Sequence, residues 1–192
     1  MSYFPMMVKL DGKKVLIIGG GEEGLKKTKI LHDFGAEICL ISKDALKEAA
    51  ELASRYEERG FRDTDITDGD YDMIVAATDD RELNKRISGL AHENRIPVNI
   101  VDDEELCSFI FPAIVKDRDV VCAVSSGGKS PYITQYIKAL LSKLLPENIG
   151  EINDRMGEYR KQAKRDLKEA AVRRSFLKKK LEEELGTDID LS

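Results

Sequence analysis

The sequence predicts an α/β fold: a parallel sheet with crossover helices, then a small α+β module and a helical tail. Three features predict it. Between Lys13 and Asp102, short β-branched runs alternate with longer segments of helical period. A glycine-rich turn joins the first such run to the first helix. Near Pro112 the alternation stops and two strands follow one another about a polar turn. A length of 192 residues suits one full core with an appendage.

The first unit is "KKVLIIG", a continuous apolar run ending in glycine, followed by "EEGLKKTKILHDFGAE". Here Leu25, Thr28, Leu31 and Phe34 fall near one helix face and Gly35 supplies the stop. "EICLIS" reads as the second strand. Asp44 to Arg59 reads as a helix, with Leu46, Ala49, Ala50, Ala53 and Tyr56 at core spacing, and "GFRDTDI" as a weak third strand at an edge. "YDMIVAAT" is a strong fourth strand, "DDRELNKRISGLAHENR" a helix opened by acids that suit its dipole, and "IPVNIVD" a fifth strand. "FPAIVKDRDVVCAVSS" then makes two strands. "KSPYITQYIKALLSKLLP" makes a helix with Ser130 as N-cap and Pro131 at its first position. From Glu147 to Leu185, apolar residues at helical spacing among dense Lys, Arg and Glu predict an amphipathic tail in more than one piece. The expected division is therefore 1–112, 113–146 and 147–192.

Composition narrows the function classes. Hydrophobic residues make up 42% and charged residues 35%, and the net charge of −5 argues against a general nucleic-acid binder. Cys39, Cys107 and Cys122 fit neither a disulfide framework nor a CxxC zinc site, and no metal-ligand cluster stands out. His32 and His92 are single histidines on helices. The opening "MSYFPMMVKL" lacks the pattern of a secretion signal, and no apolar run approaches membrane-spanning length, so a cytoplasmic protein is expected.

Gly19, Gly21 and Gly24 satisfy GxGxxG in the strand-to-helix context that gives the motif meaning, that of a Rossmann-type dinucleotide fold. Gly19 permits the tight turn, Gly21 lets a pyrophosphate approach the backbone, and Gly24 lets the helix pack closely. Glu22 and Glu23 offer backbone amides to the cofactor. Asp44, twenty residues beyond Gly24 at the end of strand two, is placed to accept hydrogen bonds from a ribose, which favours NAD over NADP; Lys43 beside it acts the other way. A turn that binds nothing, or a loop holding another adenosyl cofactor, uses the same glycine geometry.

In the usual doubly wound order, strands four and five lie beside strand one. The glycine turn, Thr78-Asp79-Asp80 and Asp102-Asp103 then meet at one sheet edge. Asp102 becomes a candidate base near the reacting end of the cofactor; the alternative is an N-cap or turn carboxylate leading into "DEEL". Thr78 lies along the dinucleotide, and Asp79 and Asp80 suit helix capping. Ser125 to Ser130 form either an anion nest or a flexible connection.

Together, "FPMMVKLDGKKVLIIGGGEEGLKK", "IVAATDDRELN", "VNIVDDEELCSFIFPAIV" and "AVSSGGKSP" resemble the precorrin-2 dehydrogenase/sirohydrochlorin ferrochelatase family, the N-terminal module of siroheme synthase. The resemblance covers about residues 4 to 150. It implies NAD-dependent oxidation of precorrin-2 to sirohydrochlorin, with Fe²⁺ as a transient substrate in members that also make siroheme. It assigns proton handling to Asp102 and a substrate-region role to Ser126, a position phosphorylated in one relative. An acidic chain must gather basic groups locally for the tetrapyrrole carboxylates; Lys129, Lys138, Arg155, Arg160 and Arg165 are candidates, and the resemblance places Lys129 best. It also implies a homodimer formed largely by the module after Pro112, and at 192 residues no room is expected for the methyltransferase fused in longer siroheme synthases. The rival reading is a nucleotide-sensing regulatory module without turnover. An ordinary short-chain dehydrogenase is disfavoured because the chain has no Tyr-x-x-x-Lys pair.

Overall fold

A computed structural model describes residues 3–190, which fall into two compact units divided between Phe111 and Pro112. In the first unit, strands β1 (Lys14–Gly20), β2 (Glu37–Ala45), β3 (Arg55–Glu58), β4 (Met73–Ala76) and β5 (Val98–Ile100) form one sheet in the order β3-β2-β1-β4-β5. Every pairing is parallel. Helices α1 (Glu22–Asp33), α2 (Lys47–Leu52), α3 (Thr64–Thr67) and α4 (Arg81–Glu93) connect the strands.

The apolar run of β1 is continuous because both its faces are covered. Val15 and Ile17 pack on one side with Leu31 of α1, Ile38 and Leu40, whereas Leu16 and Ile18 pack on the other with Ile74 and Ile87 of α4. The period of two along β1 thus feeds two separate cores from one strand. This burial holds the carboxyl ends of β1, β4 and β5 in register at one edge.

The segment after β2 differs from the helix expected over Asp44 to Arg59. β2 runs on to Ala45, α2 is only six residues long, and Arg55–Glu58 is the edge strand, paired with Cys39 to Ser42. The apolar spacing of Ala49 and Tyr56 suits either structure. Ser54 Oγ accepts a hydrogen bond from Ile38 N at 3.1 Å, and the Tyr56 hydroxyl donates to the Ser42 carbonyl at 3.4 Å, so the strand wins. "GFRDTDI" is correspondingly no strand: it leads into α3. Arg59 imposes this turn, gripping Asp65 through two bonds of 2.8 and 2.7 Å while also reaching Glu57 at 2.7 Å and the Gly60 carbonyl at 3.0 Å.

In the second unit, β6 (Ala113–Asp117) and β7 (Val120–Val124) form an antiparallel hairpin, followed by α5 (Pro131–Leu144), α6 (Ile149–Asp166) and α7 (Ala170–Leu185). Ser130 caps α5 by accepting from Ile133 N at 3.3 Å. The start of α6 is fastened to the hairpin: Gly150 N donates to Asp117 Oδ2 at 2.6 Å, and Arg118 reaches Glu151 and Asp154 at 2.9 and 2.7 Å. A Cβ at position 150 would lie 2.8 Å from that carboxylate, so only glycine allows so short a contact.

Arg59→Ala is expected to cost about 2 kcal/mol of unfolding free energy, since it strips charged hydrogen bonds from a largely covered carboxylate; urea titration checks this. Burial opposes ionisation of Asp65, but Arg59 and the Arg62 N–H carry its carboxyl below the usual range. The depressed value means that this stabilisation is present above the unfolded carboxylate value and is lost as pH falls through the folded one. Acid titration of Arg59→Ala should therefore show a shallower loss of stability below about pH 4 than the parent chain.

Candidate active site

The glycine turn is built by close backbone approach. Gly19 adopts φ +100°, and a Cβ there would sit 2.2 Å from the Ala77 carbonyl oxygen. A Cβ at Gly24 would sit 2.1 Å from the Gly19 carbonyl, so α1 lies directly against the turn and even an alanine there would force it open. Gly21 is the contrasting position. It is the N-cap of α1, and nothing lies within 4 Å of where its Cβ would be. The opening N–H groups of α1 have no intrahelical acceptor, and the helix dipole adds partial positive charge there. The open cradle in front of Gly21 fits a pyrophosphate, and a side chain at that position would fill it.

The end of β2 braces the turn through Ser42, which sequence reasoning missed. Its hydroxyl accepts from Gly20 N at 3.1 Å and donates to the Asp44 carbonyl at 2.8 Å, while Leu46 N bonds the Gly20 carbonyl at 2.8 Å. Asp44 is exposed at this strand end. Lys43 is exposed too, its Cε 3.1 Å from the Cβ position of Gly60.

Beyond β4, Thr78 donates to Asn84 Oδ1 at 2.7 Å, and Asn84 Nδ2 returns a bond to the Thr78 carbonyl at 2.9 Å. Asn84 is buried, and Asp80 caps the same helix by accepting from Leu83 N at 3.0 Å. The turn after β4 is therefore rigid. Asn84 was also missed: an asparagine within a polar helix carries no sequence signal for a buried bracket.

Asp102 follows β5 in a left-handed conformation with φ +62°. It lines a cavity of about 280 Å³ together with Glu23, Thr78, Asp79, Arg81 and Asp103. The structure thus brings Glu23 of α1, Thr78 and Asp102 to one space at the carboxyl ends of β1, β4 and β5. Glu23 is itself held by Lys26 at 2.6 Å, and Glu22 stands exposed. Arg81 approaches Asp103 at 3.5 Å and leaves Asp102 without an ion pair among the described residues.

Two further groups support Asp102. The Cys107 thiol receives Ile100 N at 3.1 Å and lies 3.2 Å from both the Ile100 and Asp103 carbonyls, closing the turn that carries Asp102. Burial pushes this thiol's pKa up, which keeps it a neutral S–H donor. Lys27 stands 4.7 Å over the Phe111 ring, and burial pulls its pKa down while the charges of Glu23 and Asp102 oppose that fall. A carboxylate on a braced strand end, beside a nucleotide cradle, can take a proton without a metal.

Ser126 and Lys129 belong to the second unit. Ser126 Oγ accepts from Ser130 N at 3.0 Å and donates to the Ser130 carbonyl at 2.9 Å, closing a loop in which Gly127 and Gly128 have φ +64° and +77°. Lys129 is exposed on that loop. Two other basic candidates are already engaged, Arg155 by Glu184 at 2.7 Å and Arg165 by Asp166 at 2.9 Å.

Comparison with known proteins agrees with this architecture. The family described as putative NAD(P)-binding matches residues 6–113. Siroheme synthase 2 of Aeromonas hydrophila is 39% identical over 176 residues, covering 92% of this chain and 37% of that protein. Siroheme synthase of Azotobacter vinelandii is 40% identical over 183 residues, covering 92% and 38%. The chain thus spans less than half the length of these relatives. Among solved structures, SirC, a precorrin-2 dehydrogenase, superposes with a TM-score of 0.74 at 24% identity, covering 92% of this chain and 88% of that one. That likeness shows a shared fold from the parallel sheet through the C-terminal helices. With more than half its length matched and the glycine turn seated between β1 and α1, the chain belongs to the putative NAD(P)-binding family.

Proposed function

We propose that this chain oxidises precorrin-2 to sirohydrochlorin in siroheme synthesis, with NAD⁺ as hydride acceptor. The observation that carries the reading is the single cavity shared by Glu23 at the glycine turn, Thr78 and Asp102. The names of the siroheme synthase relatives and of SirC supply the substrate.

Dehydrogenation removes a hydride and a proton from the tetrapyrrole. NAD⁺, when bound, supplies the hydride acceptor. The chain's residues do the rest. Gly19, Gly21 and Gly24 shape the pyrophosphate cradle, and the amides of Glu22 and Glu23 complete it. Asp44 receives the adenosine ribose, where its charge disfavours a 2′-phosphate despite Lys43. Thr78 lies along the dinucleotide, and Asp102 accepts the proton. Ser126 and Lys129 hold the substrate's carboxylates. Fe²⁺ insertion by the same residues would take the metal as a transient substrate; anaerobic insertion into sirohydrochlorin no faster than without protein limits the chain to dehydrogenation. The working form in this reading is a cytoplasmic homodimer, supported by the apolar face of α5, where Tyr132, Tyr136 and Leu144 are 85%, 66% and 78% exposed.

Purified chain, precorrin-2 and NAD⁺ should yield NADH together with sirohydrochlorin absorption; NAD⁺ binding without turnover would replace the enzyme with a sensor. Asp102→Asn should lower kcat by roughly 10²–10⁴-fold with NAD⁺ affinity kept; undiminished turnover would remove Asp102 from the reaction. Gly21→Val has room for its side chain in the folded protein, so Tm should hold while NAD⁺ affinity falls at least about tenfold, a loss of about 1.4 kcal/mol. Sedimentation should show a dimer, with Tyr136→Glu shifting it to monomer.

A further inference from the structure

Along α6 and α7, charge is matched in most places. Arg155 and Tyr159 of α6 converge on Glu184 of α7 at 2.8 and 3.2 Å, and Lys161–Glu158 and Lys180–Glu183 pair along their own helices at 2.7 Å. Near the bend between the helices the matching stops. Arg160, Lys164, Arg173 and Arg174 surround an open groove of about 340 Å³ that Ala163, Ala170 and Leu177 also line. On α6, Arg160, Ala163 and Lys164 follow the i, i+3, i+4 spacing; on α7, Arg173, Arg174 and Leu177 share a face in the same way. Each helix therefore turns two cations toward the same space, with Ala163 of α6 and Ala170 and Leu177 of α7 beside them.

Arg173 is engaged by the backbone. Its Nη1 donates to the carbonyls of Leu167 and Lys168 at 2.9 and 2.6 Å, closing the end of α6. Arg160, Lys164 and Arg174 have no acidic partner among the described residues. Gathered like charges repel and weaken the helices that carry them. In a chain with net charge −5, no general excess of cations forces this clustering. Mainly apolar walls under a cationic rim suit a ligand that joins a flat apolar body to several carboxylates.

We propose that the α6–α7 groove binds the carboxylate-bearing edge of a tetrapyrrole, with Arg160, Lys164 and Arg174 pairing its acid arms and Ala170 and Leu177 meeting the ring. The choice of ligand rests on the proposed function, whose substrate and product are polycarboxylate tetrapyrroles. The groove takes an edge rather than the whole macrocycle, so it adds affinity and orientation to whatever the Ser126 loop provides.

The test uses the full chain and uroporphyrin III, a stable octacarboxylate tetrapyrrole, titrated by absorption and fluorescence. Arg160→Ala combined with Arg174→Ala should weaken binding at least about tenfold, equivalent to about 1.4 kcal/mol. Its Tm should stay level or rise, because repulsion has been relieved. Lys178→Ala with Lys179→Ala removes the same charge elsewhere on α7 and should leave affinity within about twofold, on the order of 0.4 kcal/mol. Undiminished binding in the first pair, an equal loss in the control pair, or no binding by the parent chain overturns the proposal. Turnover of precorrin-2 separates the two readings. Normal turnover with an unchanged KM in the first pair sinks the groove and keeps the enzyme; groove-dependent binding without turnover does the reverse.

Discussion

The first unit depends on how closely three pieces of backbone meet at the end of β1. The Gly19 carbonyl lies where a Cβ on Gly24 would be, and the Ala77 carbonyl lies where a Cβ on Gly19 would be. These two approaches tie the first turn of α1 to the strand end and the strand end to the turn after β4. The two flanking cores fix where the strands stop, and these contacts fix what stands above them. The cradle at Gly21 and the turn bearing Thr78 share one foundation, so a disturbance at either reaches the other.

Polar brackets then hold what the apolar core leaves free. Ser42, Asn84 and Cys107 each satisfy backbone groups at the end of a different strand: β2, β4 and β5. Loops that carry function are commonly mobile, but these turns are short and bonded on both sides. The arrangement suits a reaction in which the proton acceptor must stand at a set distance from a bound nucleotide.

The sheet and its order were legible because β1 after Lys14 and all of β4 are apolar and the glycine pattern falls between a strand and a helix. The edge was less so. Ala49, Ala53 and Tyr56 fit a helical period, and only the bonds from Ser54 and Tyr56 to β2 decide for a strand; such contacts between distant segments have no sequence period. At the candidate site the motif residues and the strand-end acids were readable from position alone. Ser42, Asn84, Lys27 and Cys107 were not, because their importance comes from what they touch. The same holds for the basic residues of the tail, where composition marks dense charge of both signs and the structure separates Arg155, bound to Glu184, from Arg160, which meets no acid among the described residues.

The left-handed backbone at Asp102 separates two properties that a strand ordinarily couples. Along β5, alternation assigns each side chain to a face of the sheet, and packing then dictates its identity. One residue with φ +62° breaks that succession immediately beyond the strand. Aspartate and asparagine enter this conformation more readily than most residues. The residue at this position is therefore selected by its backbone and by the space it faces rather than by packing on Val98 and Ile100, so the sheet sets where the side chain stands without setting what it carries.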